Sequence, residues 1–231
     1  MIDALIFDKD GTLFDFRASW GAWTRSVLAE FAGTEARVRE LGRVLGYDPD
    51  TGAFTRDSWV ISHTTPEIAD VLHPHLPGIT LAALNERLNA LSVAAPMLPA
   101  VPLRPVLSAL KARGMKLGLA TNDTEVPART HLRNAGVLDL FDFVAGCDSG
   151  WGGKPAPGQL LEFLQRFGLT PSRTAMVGDS LHDLDAGRAA GMQAVAVLTG
   201  IATAGELAPH ADIVLADISH LGDWIDGLKA A

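Results

Sequence analysis

From Val106 to its C-terminal end the sequence keeps changing period, and that alternation restricts its fold more than any other feature. Val106–Ala112 has apolar residues at helical spacing, Lys116–Ala120 is a short apolar run suited to a buried strand, and Val126–Asn134 is helical again, closed by Gly136. A strand at Phe143–Ala145, a helix over Gln159–Phe167 stopped by Gly168, and a strand at Thr174–Val177 follow. A helix over Leu184–Ala190 stopped by Gly191, strands at Ala194–Leu198 and Ile213–Leu215, and a last helix through Leu228 complete the series. Repeated β-α-β units return each strand parallel to the last, which calls for a parallel sheet with helices on both faces.

The N-terminal part adds one strand and one interruption. Ile2–Phe7 is too short for a helix and ends abruptly at Asp8-Lys9-Asp10-Gly11, as a buried strand running into a polar turn does. From Phe16 to about Ser92 the pattern is helical: Trp20, Trp23, Val27, Leu28 and Phe31 recur at three- and four-residue spacings, Leu84, Leu88 and Leu91 repeat the signature, and Ile68 to Leu72 sits on a third helix. Pro96, Pro99, Pro102 and Pro105 then stiffen the connection. The expected architecture is a doubly wound, Rossmann-like α/β core formed by residues 1–15 and 96–231. An α-helical cap of residues 16–95 is inserted after the first strand, and two chain crossings make a hinge over a cleft.

Composition narrows the partners. The 231 residues carry a formal charge of −8, which argues against nucleic acid and anionic membranes, since both want a basic face. Cys147 stands alone, so neither a disulfide framework nor a cysteine-rich zinc site is open to the chain. The N-terminus reads as no secretory signal, and the longest uncharged runs, Leu88–Leu103 and from Ala189 to just past Ile201, are too short and too rich in Pro or Gly to span a bilayer. The expectation is a soluble, cytoplasmic protein.

Four polar clusters fall at or just beyond strand ends, where open parallel sheets bind ligands: Asp8-Lys9-Asp10-Gly11-Thr12, Thr121-Asn122-Asp123, Gly152-Gly153-Lys154-Pro155, and Gly178-Asp179-Ser180 with Asp183. Each alone is what a turn or helix cap prefers, and a lone Lys154 is ordinarily a solvated charge. Turn chemistry does not call for carboxylates, hydroxyl, amide and amine on one rim; phosphoryl transfer does. Asp8 and Asp10, two apart in extended chain, lean toward one face, so that one can attack phosphorus while the other handles the leaving-group proton, and Lys9 points to the opposite face. Asp179 adds carboxylate oxygen for Mg²⁺, the metal and Lys154 neutralise the transferring group, and Thr121 with nearby backbone N–H groups binds its oxygens.

These residues carry a family likeness. Phe7-Asp8-Lys9-Asp10-Gly11-Thr12-Leu13, Thr121-Asn122, Gly153-Lys154-Pro155 and Gly178-Asp179-Ser180-Leu181-His182-Asp183 resemble, in order, the four motifs of the haloacid dehalogenase superfamily. The helical insertion resembles the cap of its phosphoglycolate-phosphatase-like branch. The resemblance implies Asp8 as a nucleophile that forms an aspartyl-phosphate, and Asp10 as general acid and then base. It implies Thr121, Asn122 and Lys154 at the phosphate, and Mg²⁺ held by Asp8, the Asp10 carbonyl and Asp179, with Asp183 reaching it through water. The acid at Asp10, which dehalogenase and carbon–phosphorus hydrolase branches lack, implies a phosphate ester; the substrate would be a small phosphorylated metabolite such as phosphoglycolate. Lys9, where the family often has an apolar residue, is expected as a surface or rim contact.

Other readings compete. A phosphomutase shares the whole core. Gly178-Asp179-Ser180-Leu181 with Asp217-Ile218-Ser219-His220 spells a GDSL-type serine esterase, but leaves the N-terminal aspartates, Thr121 and Lys154 idle. A non-enzymatic phospho-receiver switch would be about half this length, with no insertion after strand one. An EF-hand at Asp8 fails at Leu13 and Ser19, and a Walker A loop fails at Asp148 and Pro155. Arg17 first, as the nearest in sequence to the Asp8 loop, then Trp20, Arg25, Arg56 and His63, are the cap residues that could contact the leaving group; helical spacing favours core packing for at least one of Trp20 and Trp23, and Arg25 and Arg56 are more readily solvated charges.

Overall fold

The computed structural model describes residues 2–230. Strand β1 (Ala4–Phe7) is followed by helices α1 (Phe16–Phe31) and α2 (Glu35–Leu45), a hairpin of β2 (Tyr47–Asp48) and β3 (Ala53–Phe54), and helices α3 (Trp59–Ser62), α4 (Thr65–Leu72) and α5 (Leu81–Ala94). The chain then alternates through α6 (Leu103–Ala112), β4 (Lys116–Ala120), α7 (Glu125–Asn134), β5 (Phe143–Ala145), α8 (Gly158–Phe167) and β6 (Thr174–Gly178). It ends with α9 (Leu181–Ala189), β7 (Gln193–Val197), α10 (Ala204–Leu207), β8 (Ile213–Leu215) and α11 (Leu221–Ala230).

Six strands form one parallel sheet in the order β5-β4-β1-β6-β7-β8. Strand periodicity divides its side chains between two layers. Leu5 and Phe7 of β1 join Leu107, Leu132 and Ile225 of α6, α7 and α11 on one face, while Ala4 and Ile6 meet Leu160, Phe163 and Ala186 of α8 and α9 on the other. This is the doubly wound, Rossmann-like α/β fold with helices on both faces. The order reverses at β1, with β4 and β5 to one side and β6 onward to the other, and the crevice outside the strand ends at such a switch point is where ligands bind.

The insertion has its own interior. Phe16, Trp20, Trp23, Leu28, Leu41, Leu45, Ile68, Leu72, Leu84 and Leu88 pack together, with no strand of the large sheet among them. Side-chain caps start its helices: Asp15 accepts from the Ala18 N–H (2.8 Å), and Thr64 with Glu67 forms a capping box on α4. The insertion is not wholly helical, because Gly46 ends α2 in a left-handed conformation (φ 69°) and the chain turns back through Pro49 and Gly52 to pair Tyr47 with Phe54. Its two connections to the sheet run side by side: the Asp15 N–H donates to the Leu98 carbonyl (2.8 Å) and the Ala100 N–H to the Leu13 carbonyl (2.9 Å). Among the described residues no helix is long and apolar enough to cross a membrane.

Candidate active site

The sheet's register levels the polar clusters. Phe7 of β1 lies opposite Leu119 on β4 and Val177 on β6, so Asp8, Thr121 and Asp179 emerge together where the strands end. The Asp8 N–H still donates to the Val177 carbonyl (2.8 Å), and the chain then folds into a tight loop in which Leu13 and Phe14 donate to the Lys9 carbonyl (2.9 and 3.1 Å). Gly11 turns this loop with φ 86°, and a Cβ there would overlap the Asp179 carboxylate, so glycine is required on two counts.

Lys154 is the electrostatic centre. Its Nζ donates to Asp8 Oδ1 (2.5 Å) and to Asp183 Oδ1 (2.6 Å), all three side chains being buried. Asn122 fixes the lysine's backbone: its Nδ2 donates to the Lys154 carbonyl (2.9 Å) and its Oδ1 accepts from the Lys154 N–H (2.8 Å). Gln159 Nε2 donates to the Thr121 carbonyl (3.1 Å) and the Gly152 carbonyl (2.9 Å), joining the two loops that carry Thr121 and Lys154. Asp183 serves two masters, since its Oδ2 accepts from the Ser180 N–H (3.1 Å) and hydroxyl (2.7 Å) at the head of α9. That capping box is why the helix begins at Leu181, three residues before its expected start.

Asp8, Asp179 and Asp183 each offer a carboxylate oxygen within 4.8 Å of the others. Burial raises the Asp8 carboxyl to about 7 against the pull of Lys154, with Asp183 and Asp10 pushing the same way as burial. Burial, then Asp183 and Asp8, lifts Asp179 well above the ordinary carboxylate range. Burial works against the Lys154 charge, yet Asp183 and Asp8 hold its ammonium above the usual lysine range. Three crowded carboxylates against one ammonium form an oxygen-only donor set short of positive charge, which fits a hard divalent cation such as Mg²⁺ and not a zinc site.

A cavity of about 50 Å³ lies over this rim. Asp8, Asp10, Thr121, Asn122, Lys154, Asp179 and Asp183 line it from the sheet side, and Phe16, Trp20, Val60, Ile61, His63, Thr65 and Ile68 from the insertion. The site's residues from four separate stretches of sequence therefore do converge. Of the cap residues singled out, Trp20 and His63 face the cavity and Trp23 is buried in the insertion's interior. Arg17 and Arg25 do not line it. Phe16 and Trp20, one helical turn apart, take the inward face of α1, so Arg17 projects to solvent, and Arg25 turns to the Tyr47 hydroxyl (3.0 Å). Arg56 lies 3.5 Å from Glu206 at a neighbouring opening.

Lys9 requires a correction. It is wholly buried rather than at the surface or rim, because Asp123 (2.6 Å) and Asp10 (3.2 Å) surround its ammonium with negative charge. The esterase reading also loses its geometry. The Ser180 hydroxyl donates to Asp183, and His220 is engaged locally with Asp217 (3.3 Å) and Ser219 (3.4 Å) before α11. Two contributors escaped the sequence reading: Gln159, for which no local pattern speaks, and Gly200, where a Cβ would overlap Asp179. Gly200 had a usable signal, a Thr-Gly pair just past another strand end on the same rim.

The haloacid dehalogenase-like hydrolase family model matches residues 2–191. The phosphoglycolate phosphatase of Nitrosospira multiformis is 32% identical over 201 residues, covering 86% of this chain and 84% of that protein. That of Rhodospirillum rubrum is 38% identical over 125 residues, and this match spans only 50% of that protein and 52% of this chain. CbbY from Rhodobacter sphaeroides, solved in complex with phosphate, superimposes with a TM-score of 0.70 at 23% identity over 96% of this chain and 97% of its own. β-Phosphoglucomutase from Clostridium difficile does so with a TM-score of 0.68 at 20% identity, over 98% and 96%. The chain belongs to the haloacid dehalogenase-like hydrolase family. It is an enzyme, a hydrolase whose relative aligned over most of its length is a phosphatase.

Proposed function

We propose that the protein is a Mg²⁺-dependent phosphomonoester phosphatase, with residues 16–95 as its cap and a small phosphorylated metabolite, phosphoglycolate being one candidate, as its substrate. The observation that carries this reading is Lys154 held between Asp8 and Asp183, with Asp179 beside them, at the sheet's switch point. Asp8, Asp179 and the Asp10 carbonyl would hold the metal, with Asp183 outside them; when bound, the ion would offset charge on the phosphoryl group and on these carboxylates.

An Asp8 oxygen attacks phosphorus in line with the ester bond. As the P–O(Asp8) bond forms, the ester P–O bond breaks and Asp10 delivers its proton to the departing oxygen. Burial raises the Asp10 carboxyl, with Lys9 pulling the other way, and the raised direction favours the protonated acid. Lys154 keeps Asp8 oriented and meets the phosphoryl oxygens together with Thr121, while Asn122 acts by fixing the Lys154 backbone. Water then attacks the aspartyl-phosphate, Asp10 takes its proton, and Asp8 leaves as carboxylate.

Asp8→Asn should lower kcat by about 10⁴-fold or more with the fold intact, and exhaustive EDTA should silence the wild type until Mg²⁺ returns. Retained turnover in either case overturns the reading. A phosphomutase keeps the same first step; against a panel of phosphorylated metabolites it would transfer phosphate between hydroxyls without releasing it.

A further inference from the structure

Lys9 takes no part in these steps, yet few side chains here are held so tightly. Its Nζ donates to Asp123 Oδ2 (2.6 Å) and to His131 Nδ1 (2.9 Å), and lies 3.2 Å from Asp10 Oδ2, so three N–H bonds meet three acceptors. The Trp20 ring sits 5.6 Å from the same nitrogen. Because Nδ1 of His131 accepts, its proton is on Nε2, which donates to the Ser92 carbonyl (2.8 Å). The Ser92 hydroxyl in turn donates to Asp123 Oδ2 (3.1 Å). Ser92 lies in the last turn of α5, just before the chain returns from the insertion to the sheet.

One buried amine thus joins the loop after β1, the turn into α7 and the end of the insertion. It also divides the two oxygens of Asp10. Oδ2 faces Lys9, while Oδ1 is buried without a hydrogen bond, as is the Trp20 indole N–H on the insertion side of the cavity. A carboxylic acid whose Oδ2 lies against an ammonium carries its proton on the other oxygen.

We propose that Lys9 is the positioning residue for the general acid: it holds Oδ2 of Asp10 so that Oδ1 faces the leaving group with the proton, and through Asp123 and Ser92 it ties that carboxyl to the segment on which the cap returns. The inference rests on the phosphatase reading of Asp10. The step it governs is transfer of the Oδ1 proton to the ester oxygen as the P–O bond to that oxygen breaks and the Asp8–phosphorus bond forms.

The test compares two substrates by kcat/KM, which reports steps up to formation of the phosphoenzyme. One is an alkyl phosphomonoester, whose alkoxide must be protonated to leave; the other is p-nitrophenyl phosphate, whose phenolate leaves without help. Lys9→Met/Asp123→Asn removes the two charges of the shorter ion pair together, so the net charge around Asp10 is unchanged and no bare Asp123 carboxylate is left. Ser92→Ala removes only the hydroxyl and leaves the His131 contact to the backbone in place. Both variants are checked by circular dichroism and unfolding midpoint.

The double variant should lose roughly 30-fold or more on the alkyl ester, within the range a positioned acid contributes, and under about fivefold on the aryl ester. Ser92→Ala should show the same bias at about 3- to 10-fold. Equal losses on both substrates, or no loss, in either folded variant overturns the proposal. If the double variant does not fold, an unbiased Ser92→Ala overturns it alone. A wild type inactive on both esters, or an active Asp8→Asn, would instead fail the phosphatase reading itself.

Discussion

His131 gives the fold a measurable weakness toward acid. Its ring is 1% exposed; burial first, and then the Lys9 ammonium against Nδ1, depress its pKa from 6.5 to about 4, with Asp123 and the Ser92 carbonyl opposing only in part. A protonated ring would turn a second donor onto an ammonium 2.9 Å away. In the unfolded chain the imidazole takes up its proton near 6.5, so between about 6.5 and 4 the unfolded state binds more protons than the native one. The stability contributed by neutral His131 is therefore complete above the unfolded value and falls as the pH drops through this window. With these two values the loss between pH 8 and pH 5 is about 2 kcal/mol. Asp8, raised to about 7, works in the opposite direction, because the native state protonates it first and gains stability as the pH falls. The wild type alone would blur the two effects. The comparison needed is with His131→Asn, whose Oδ1 can still accept from Lys9 but which does not titrate. Urea unfolding followed by tryptophan fluorescence at pH 8, 7, 6 and 5 should show the difference in ΔG between the two proteins changing by about 2 kcal/mol, to the wild type's disadvantage at low pH. A difference that stays constant with pH would refute the assigned tautomer and the burial argument together.

Two further outcomes are open to direct measurement. Gly200→Ala would press a methyl group into the Asp179 carboxylate, so the Mg²⁺ concentration for half-maximal activity should rise by about 10- to 100-fold while the unfolding midpoint moves little; an unchanged Mg²⁺ dependence would detach Gly200 from the site. Gln159→Leu would strip the Thr121 and Gly152 carbonyls of a shared buried donor, at a cost of about 1–3 kcal/mol in urea unfolding, and a loss below about 0.5 kcal/mol would show that the two loops are held by other means.

What the sequence disclosed follows from how local each signal is. The strand at Phe143–Ala145 and the helix through Phe167 were legible because buried strands are short apolar runs and helices end on glycine, as Gly168 does here with φ 60°. The convergence of Asp8, Thr121, Lys154 and Asp179 was legible because parallel connectivity puts every strand's carboxyl end on one rim. Lys9 was misplaced because strand alternation says which way a side chain points, not what waits there. Asp123 and His131 come from more than a hundred residues away, and only the packing of α7 beside the β1 loop turns a solvated charge into a buried one. The hairpin at Tyr47 was lost for the reverse reason: two residues per strand give too little pattern to oppose the helical periodicity around them. Arg17 lies nearest the Asp8 loop in sequence, whereas the rotation of α1, fixed by Phe16 and Trp20, settles what faces the cavity.

The paired crossings at Phe14 and Pro99 mean that just over eighty residues leave and re-enter the sheet domain through a gate one hydrogen-bonded pair wide. The insertion behaves topologically like the tip of a hairpin. Its ends are already in register, and its interior shares no strand with the sheet beneath. A short turn could close that gate without breaking a strand of the sheet, but it would take Ser92 away from Asp123 and His131. The aspartates thus stand on strands that the insertion never enters, while the insertion closes one side of their cavity.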